Sequence, residues 1–104
     1  MELSGKQKRH LRALGNTLNP VVRLGKAGLG DALVTAVDSA LTRHELVKIK
    51  LSPETPESRD EVADFLSEHT KSAIAQVMGG TILLYRRHPE EPKIVLPARS
   101  DGTH

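Results

Sequence analysis

Val21-Val22-Arg23-Leu24-Gly25-Lys26-Ala27-Gly28-Leu29-Gly30 decides how the rest of the chain is read. The first four residues read as a strand, which the glycines then interrupt. Beyond them Leu29, Leu33, Val37, Ala40 and Leu41 recur at helical spacing and predict a helix from Gly30 to Arg43. Gly25 and Gly28 carry no Cβ, so the backbone there can turn tightly and approach a ligand closely. The helix start that follows offers unpaired N–H groups and the positive end of its dipole. Lys26 adds a mobile cation. Such a corner suits a phosphate group, and the basic surroundings point to the phosphate of a nucleic acid.

Upstream, Ser4 is placed to cap a first helix that ends near Gly15. Leu3, Leu11, Leu14 and Leu18 are expected on its inner side, with Leu18 in the turn beyond, leaving Lys8, Arg9 and Arg12 in water. Asn19-Pro20 then favours extended backbone into the first strand. Downstream, Leu46 to Leu51 alternates cleanly. Val47, Ile49 and Leu51 should face a core and Lys48 and Lys50 the opposite side. There the two lysines either join a cationic track or keep one sheet face wet.

After a loop from Ser52 to Pro56, a third helix is expected with Val62, Phe65, Leu66 and His69 inward. Its acids Glu57, Asp60 and Glu61 crowd the N-terminal end, where the dipole favours them. Ala73 to Met78 and Thr81 to Arg86 flank Gly79-Gly80, the signature of a hairpin with a primed turn. Ile94-Val95-Leu96 should dock back on the domain, and residues 98–104 are expected to be a disordered tail. The order is α-β-α-β-α-β-β: an α+β fold in which three helices cover a four-stranded mixed sheet.

At 104 residues the chain is one domain. Its net charge of +2 hides a strong segregation. Lys6, Lys8, Arg9, Arg12, Arg23 and Lys26 lie between residues 3 and 30 with no acid among them. Between residues 53 and 69 the acids Glu54, Glu57, Asp60, Glu61, Asp64 and Glu68 face Arg59 alone. A basic opening third is the footprint of a polyanion binder, with the acidic third turned away from it.

Several chemistries find no support. With no cysteine, disulfides and thiolate metal sites are excluded. The histidines are scattered without metal-ligand spacing, and His44-Glu45 reads as a helix end rather than an acid–base pair. Gly25-Lys26-Ala27-Gly28 lacks the spacing of a P-loop. Phe65 and Tyr85 are the only aromatic residues among Phe, Tyr and Trp, so a base-stacking sheet is excluded, and Tyr85 beside Leu83 and Leu84 reads as core. No apolar run spans a bilayer and no signal peptide opens the chain, which suggests a cytoplasmic protein.

Four blocks together carry a resemblance: residues 3–12 (Leu-Ser-Gly-Lys-Gln-Lys-Arg-His-Leu-Arg), residues 20–29 around the glycine turn, His44 to Lys50, and Leu84-Tyr85-Arg86. In this order and spacing they closely resemble the CRM domain, in its stand-alone bacterial YhbY type, over residues 2–97. The resemblance implies an RNA-binding domain shaped like the C-terminal domain of translation initiation factor 3. It further implies association with precursors of the large ribosomal subunit and a role in their assembly. The family's glycine loop falls on Gly25, Lys26, Ala27 and Gly28, and its basic helix on Lys6, Lys8, Arg9 and Arg12. One departure is Gly30, where relatives often have a threonine able to cap the second helix.

The reading is therefore a non-catalytic, monomeric RNA-binding domain over residues 1–97, without metal or cofactor. Its contacts would be Lys6, Lys8, Arg9, Arg12, Arg23, Gly25, Lys26, Ala27 and Gly28. The RNA would be a large-subunit ribosomal precursor, with ribosomal proteins as further partners. The competing reading is a protein-interaction module whose basic helix docks an acidic assembly factor or ribosomal protein.

Overall fold

Ser4 and Ser58 open two helices in the same way. Each hydroxyl accepts the N–H of the third helical residue, and that residue's side chain accepts the serine's own N–H. These boxes start α1 (Gly5–Gly15) and α3 (Arg59–Thr70). Between them, α2 (Asp31–His44) begins at Gly30, which has no side chain to cap it. The strands are β1 (Val22–Leu24), β2 (Leu46–Leu51), β3 (Ala73–Met78) and β4 (Thr81–Tyr85). A computed structural model describes residues 2–98, so the expected tail lies outside the described residues except for Ala98.

The sheet order is β1-β2-β4-β3, with β1 parallel to β2 and the other pairs antiparallel. Element order and mixed sheet are those expected. Gly79 alone of the hairpin glycines takes a positive φ, 59°, as a type II′ turn requires at its first central position. A bulge between Ile74 and Gln76 shifts the register of β3, so that Ile74 and Val77, three apart, pack on the same core.

Each face of the sheet carries a core. Val22, Leu24, Val47, Ile49, Leu51, Ile82 and Leu84 meet Val37 and Leu41 of α2 and Val62 and Leu66 of α3. The other face buries Leu46, Leu83, Tyr85, Ala73 and Ala75 under Leu3 and Leu11, with Ile94 and Leu96 against them. Tyr85 is thus core, and the Ile94–Leu96 segment does dock back. Fully burying a leucine-sized side chain contributes about 1.5–3 kcal/mol, so both layers are needed to hold so small a domain.

Two charged residues hold the layers together. Glu45, at a φ of 64° between α2 and β2, buries its carboxylate and accepts the N–H groups of His88, Lys93 and Ile94 at 2.7, 2.8 and 2.9 Å. This ties down the strap formed by residues 88–97, whose far end is fixed by the Gln7 amide donating to the Pro97 carbonyl at 3.0 Å. Arg86 donates to Asp38 Oδ1 and the Thr70 carbonyl, and through its other nitrogen to the Asp38 carbonyl and the Thr42 hydroxyl. One guanidinium thereby staples α2, α3 and β4.

Three expectations need correction. Leu14 and Leu18 are not buried; they stay 39% and 36% exposed. The cause is Gly15, which lies so near Leu83 that a Cβ would stand 2.8 Å from its Cδ2. The helix settles on Leu11 and Gly15, which turns Leu14 onto its shoulder. His69 is exposed rather than inward; its ring stacks on Phe65 with centroids 4.0 Å apart. Glu57 is not in the third helix, because the Ser58 box starts that helix at Arg59.

Candidate nucleic-acid interface

Side chains alternate across a strand, so burial of one set fixes the direction of the other. Val22 and Leu24 enter the core beneath α2 and α3, which sends Arg23 to the face that α1 covers. By the same rule Lys48 and Lys50 oppose Val47, Ile49 and Leu51. The parallel register then pairs Arg23 with Lys50. The sequence left the two lysines between two readings; the register gives Lys50 a cationic neighbour on the sheet's α1 side.

On α1 the buried residues are Gln7, Leu11 and Gly15, one face at helical spacing. Lys6, Lys8 and Arg9 are exposed and Arg12 half-buried on the remaining surface. Among the described residues, Lys8, Arg9, Arg12, Arg23, Lys26, Lys48 and Lys50 take part in no ion pair. α3, with Asp60, Glu61, Asp64 and Glu68 exposed, packs on the opposite face of the sheet. The segregation along the chain has become a segregation in space.

The glycine turn closes through the Gly28 N–H, which donates to the Gly25 carbonyl at 3.1 Å. Gly28 has a φ of 72°, a left-handed conformation that costs a residue with a Cβ about 1–2 kcal/mol. Lys26 and Ala27 stand exposed at the tip, while Gly28 is buried. One donor of the turn is therefore spent internally. What faces outward is the Lys26-Ala27 tip, next to a helix start with no side-chain cap.

Behind the turn lies a feature that the sequence did not disclose. The Leu24 carbonyl accepts both the Ser52 N–H and the Thr55 hydroxyl, holding the loop from Ser52 to Ser58 against the turn. Glu57 is pressed against Gly28 so closely that a Cβ there would lie 2.7 Å from Oε1. That oxygen is buried without a hydrogen-bond partner. The acids of α3 are turned away from the basic face, but Glu57 is an exception and sets a negative charge behind the glycine turn. The signal that locates it was present: Ser58-x-x-Glu61 is a capping box, which leaves Glu57 in the loop.

Among the described residues no group of three or more His, Asp or Glu is placed to hold a metal ion. No described helix is long and apolar enough to cross a membrane.

Comparisons with known proteins identify the family. The chain is 39% identical over 97 residues to an RNA-binding protein of Haemophilus influenzae, spanning 93% of this chain and 97% of the relative. It is 36% identical over 95 residues to the "Probable RNA-binding protein YqeI" of Bacillus subtilis, spanning 91% and 99%. The solution structure of SAV1595 from Staphylococcus aureus, described as a candidate RNA-binding protein, superposes with a TM-score of 0.78 at 36% identity, covering 92% of this chain and all of that one. The CRS1 / YhbY (CRM) domain matches residues 3–86, from the residue before the Ser4 cap to the Arg86 staple. With that domain matched over most of its length and the same fold in the solved relative, the chain belongs to the CRS1/YhbY (CRM) domain family.

Proposed function

We propose that the protein binds structured RNA through the ribose-phosphate backbone, using α1, the Gly25–Gly28 turn and the cations of β1 and β2. The carrying observation is the set of cations without ion pairs on the α1 side of the sheet, Lys8, Arg9, Arg12, Arg23, Lys48 and Lys50, together with Lys26 at the turn. Relatives named as RNA-binding proteins support the choice of polyanion. Phosphate contacts position an RNA without reading its sequence, so these cations select shape and charge. The loop works as in KH domains, where a GxxG segment clamps backbone nucleotides.

The RNA is the precursor of the large ribosomal subunit, and the protein acts in the cytoplasm as a non-catalytic monomer during assembly. It holds a productive RNA conformation until maturation displaces it. Crosslinking in cells, followed by sequencing of the attached RNA, tests the target; reads spread over unrelated transcripts reject it. Binding to a structured ribosomal RNA fragment tests the mechanism. If Z phosphates are neutralised, log affinity falls with log salt at a slope of about −0.7Z to −0.9Z. Lys26→Ala lowers that slope by roughly one and weakens binding across sequences. A salt-independent affinity, unchanged in the variant, rejects it. Co-sedimentation with ribosomal particles that persists after ribonuclease treatment points instead to a protein partner.

A further inference from the structure

The leucines that the packing leaves outside are not scattered. Leu14 and Leu18, with Val21 at 55% exposure, wall a groove of about 560 Å3 between the end of α1 and the start of β1 and β2. Asn19, His44 and Lys48 also line it, and no acidic residue does. None of these three side chains has a hydrogen-bond or ion-pair partner among the described residues. Apolar walls with a few convergent, unengaged polar groups are the usual composition of a small-ligand site.

The position of the groove identifies its occupant. Val21, one residue ahead of β1, donates its N–H to the Lys48 carbonyl and so extends the pairing. It precedes Arg23 by two residues as Lys48 precedes Lys50, so each groove residue shares a side of the sheet with its cation. The step along the strand is about 6.6 Å. The groove therefore opens directly beside the Arg23–Lys50 pair. An RNA strand with a phosphate on that pair has its next sugar and base over the groove, with Lys48 in reach of the adjoining phosphate. Leu14, Leu18 and Val21 offer apolar surface to the faces of a base, and the Asn19 amide offers a donor and an acceptor to its edge. Unstacked bases in loops and bulges are the parts of RNA that can be splayed into such a site.

We propose that this groove is a subsite for one unstacked nucleobase of the bound RNA, adding base preference to a surface that otherwise grips phosphates. The proposal rests on the RNA-binding reading above. Short single-stranded RNA oligomers of A, C or U, and an abasic ribose-phosphate oligomer of the same length, are titrated against the full chain by fluorescence anisotropy. At least one base-bearing oligomer is expected to bind about fivefold or more tightly than the abasic one, the low end of what a held base contributes. The double variant Leu18→Ser, Asn19→Ala replaces surface residues and should fold. It is expected to bind every oligomer at the abasic level, with affinity for the abasic chain and its salt slope unchanged.

Adenosine monophosphate should also move the methyl resonances of Leu14, Leu18 and Val21 in the native protein, and not those of Leu83 under α1. Equal affinity of the native protein for abasic and base-bearing chains overturns the proposal while leaving phosphate binding intact. So does a base preference that survives in the double variant. Loss of binding to the abasic and base-bearing chains alike, at low salt, removes the RNA-binding reading and this subsite with it. Occupation of the groove by an acidic, leucine-bearing peptide in place of the nucleotide overturns it as well.

Discussion

The charged side chains in the α2–β2 connection and just beyond β4 live very differently from those on α1 and β1. Glu45 and Arg86 are surrounded by partners, three backbone N–H groups for the one and two carbonyls, a hydroxyl and a carboxylate for the other. Lys8, Arg9, Arg12, Arg23 and Lys50 have none in an ion pair among the described residues, and they gather on one side of the sheet. A charge that is buried and fully bonded holds the fold, because the cost of its desolvation is met only by those bonds. A charge left in water beside others of its sign is mildly unfavourable to the fold and finds its use in a partner. The four sequence blocks that carried the family resemblance thus divide. Residues 3–12 and 20–29 carry mainly cations without an ion pair among the described residues, Leu84 to Arg86 carries a structural staple, and His44 to Lys50 holds both Glu45 and the cations Lys48 and Lys50.

Substitutions sharpen this division. The largest effect is expected from Glu45→Ala, which strands three N–H groups at once; a loss of about 3 kcal/mol in chemical denaturation follows, with RNA affinity of the folded protein retained. The same carboxylate sets a pH dependence. Burial alone would raise its pKa, but the N–H groups of His88, Ile94 and Lys93, helped by the charge of His88, outweigh burial and leave it below the ordinary 4.5. A folded-state pKa below the unfolded one means that Glu45 contributes stability above the unfolded value. That contribution disappears as pH falls through the lower folded value. The native protein should therefore lose stability more steeply than Glu45→Ala below about pH 4.5.

Arg86→Ala comes next, at about 2 kcal/mol. Most of that loss is assigned to the Thr70 carbonyl, which is left without its donor. The Asp38 carbonyl keeps the Thr42 hydroxyl, and the Asp38 side chain is 55% exposed, so its ion pair counts for little. Arg86→Lys should recover only part, since an ammonium cannot reproduce the forked geometry. On the other side, Arg23→Ala combined with Lys50→Ala should change stability by no more than about 0.5 kcal/mol. The same pair should weaken RNA binding about tenfold and flatten the salt slope by about 1.4 to 1.8. An unfolded double variant, or one with native affinity, breaks the comparison.

The smallest effect belongs to the residue that blurs the boundary. Glu57→Gln removes the negative charge behind the glycine turn, and RNA affinity should rise about two- to fivefold at low salt. The gain should fade as salt screens the site. Weaker binding in this variant would mean that Glu57 organises the turn rather than opposing its ligand.

The sequence disclosed the elements because periodicity and turn residues act locally. The alternation of Leu46 to Leu51 and the Gly79-Gly80 hairpin need nothing from the rest of the chain. Depth was harder to read. Leu3, Leu11, Leu14 and Leu18 share a spacing, but only the contact of Gly15 with Leu83 decides that the helix sinks on one side and leaves Leu14 at a groove. The bonds of Glu45 reach residues 43 to 49 positions away, and those of Arg86 reach back to Asp38, 48 positions away, which no local pattern announces. Of the expected interface, the direction of Arg23 followed from alternation. The pairing of Lys50 with Arg23 had to await the β1–β2 register.

The seating of α1 has a consequence for the order of events during synthesis. This helix comes before the other described elements in the chain, yet it rests on β2, β3 and β4 and is tied through Gln7 to Pro97, 90 positions later. Most of the surface it settles on waits for the hairpin, and its clasp waits for the strap. In a nascent chain this cation-bearing helix is therefore not fully seated until the strap has emerged, and a chain ending before the strap would carry its charges unanchored.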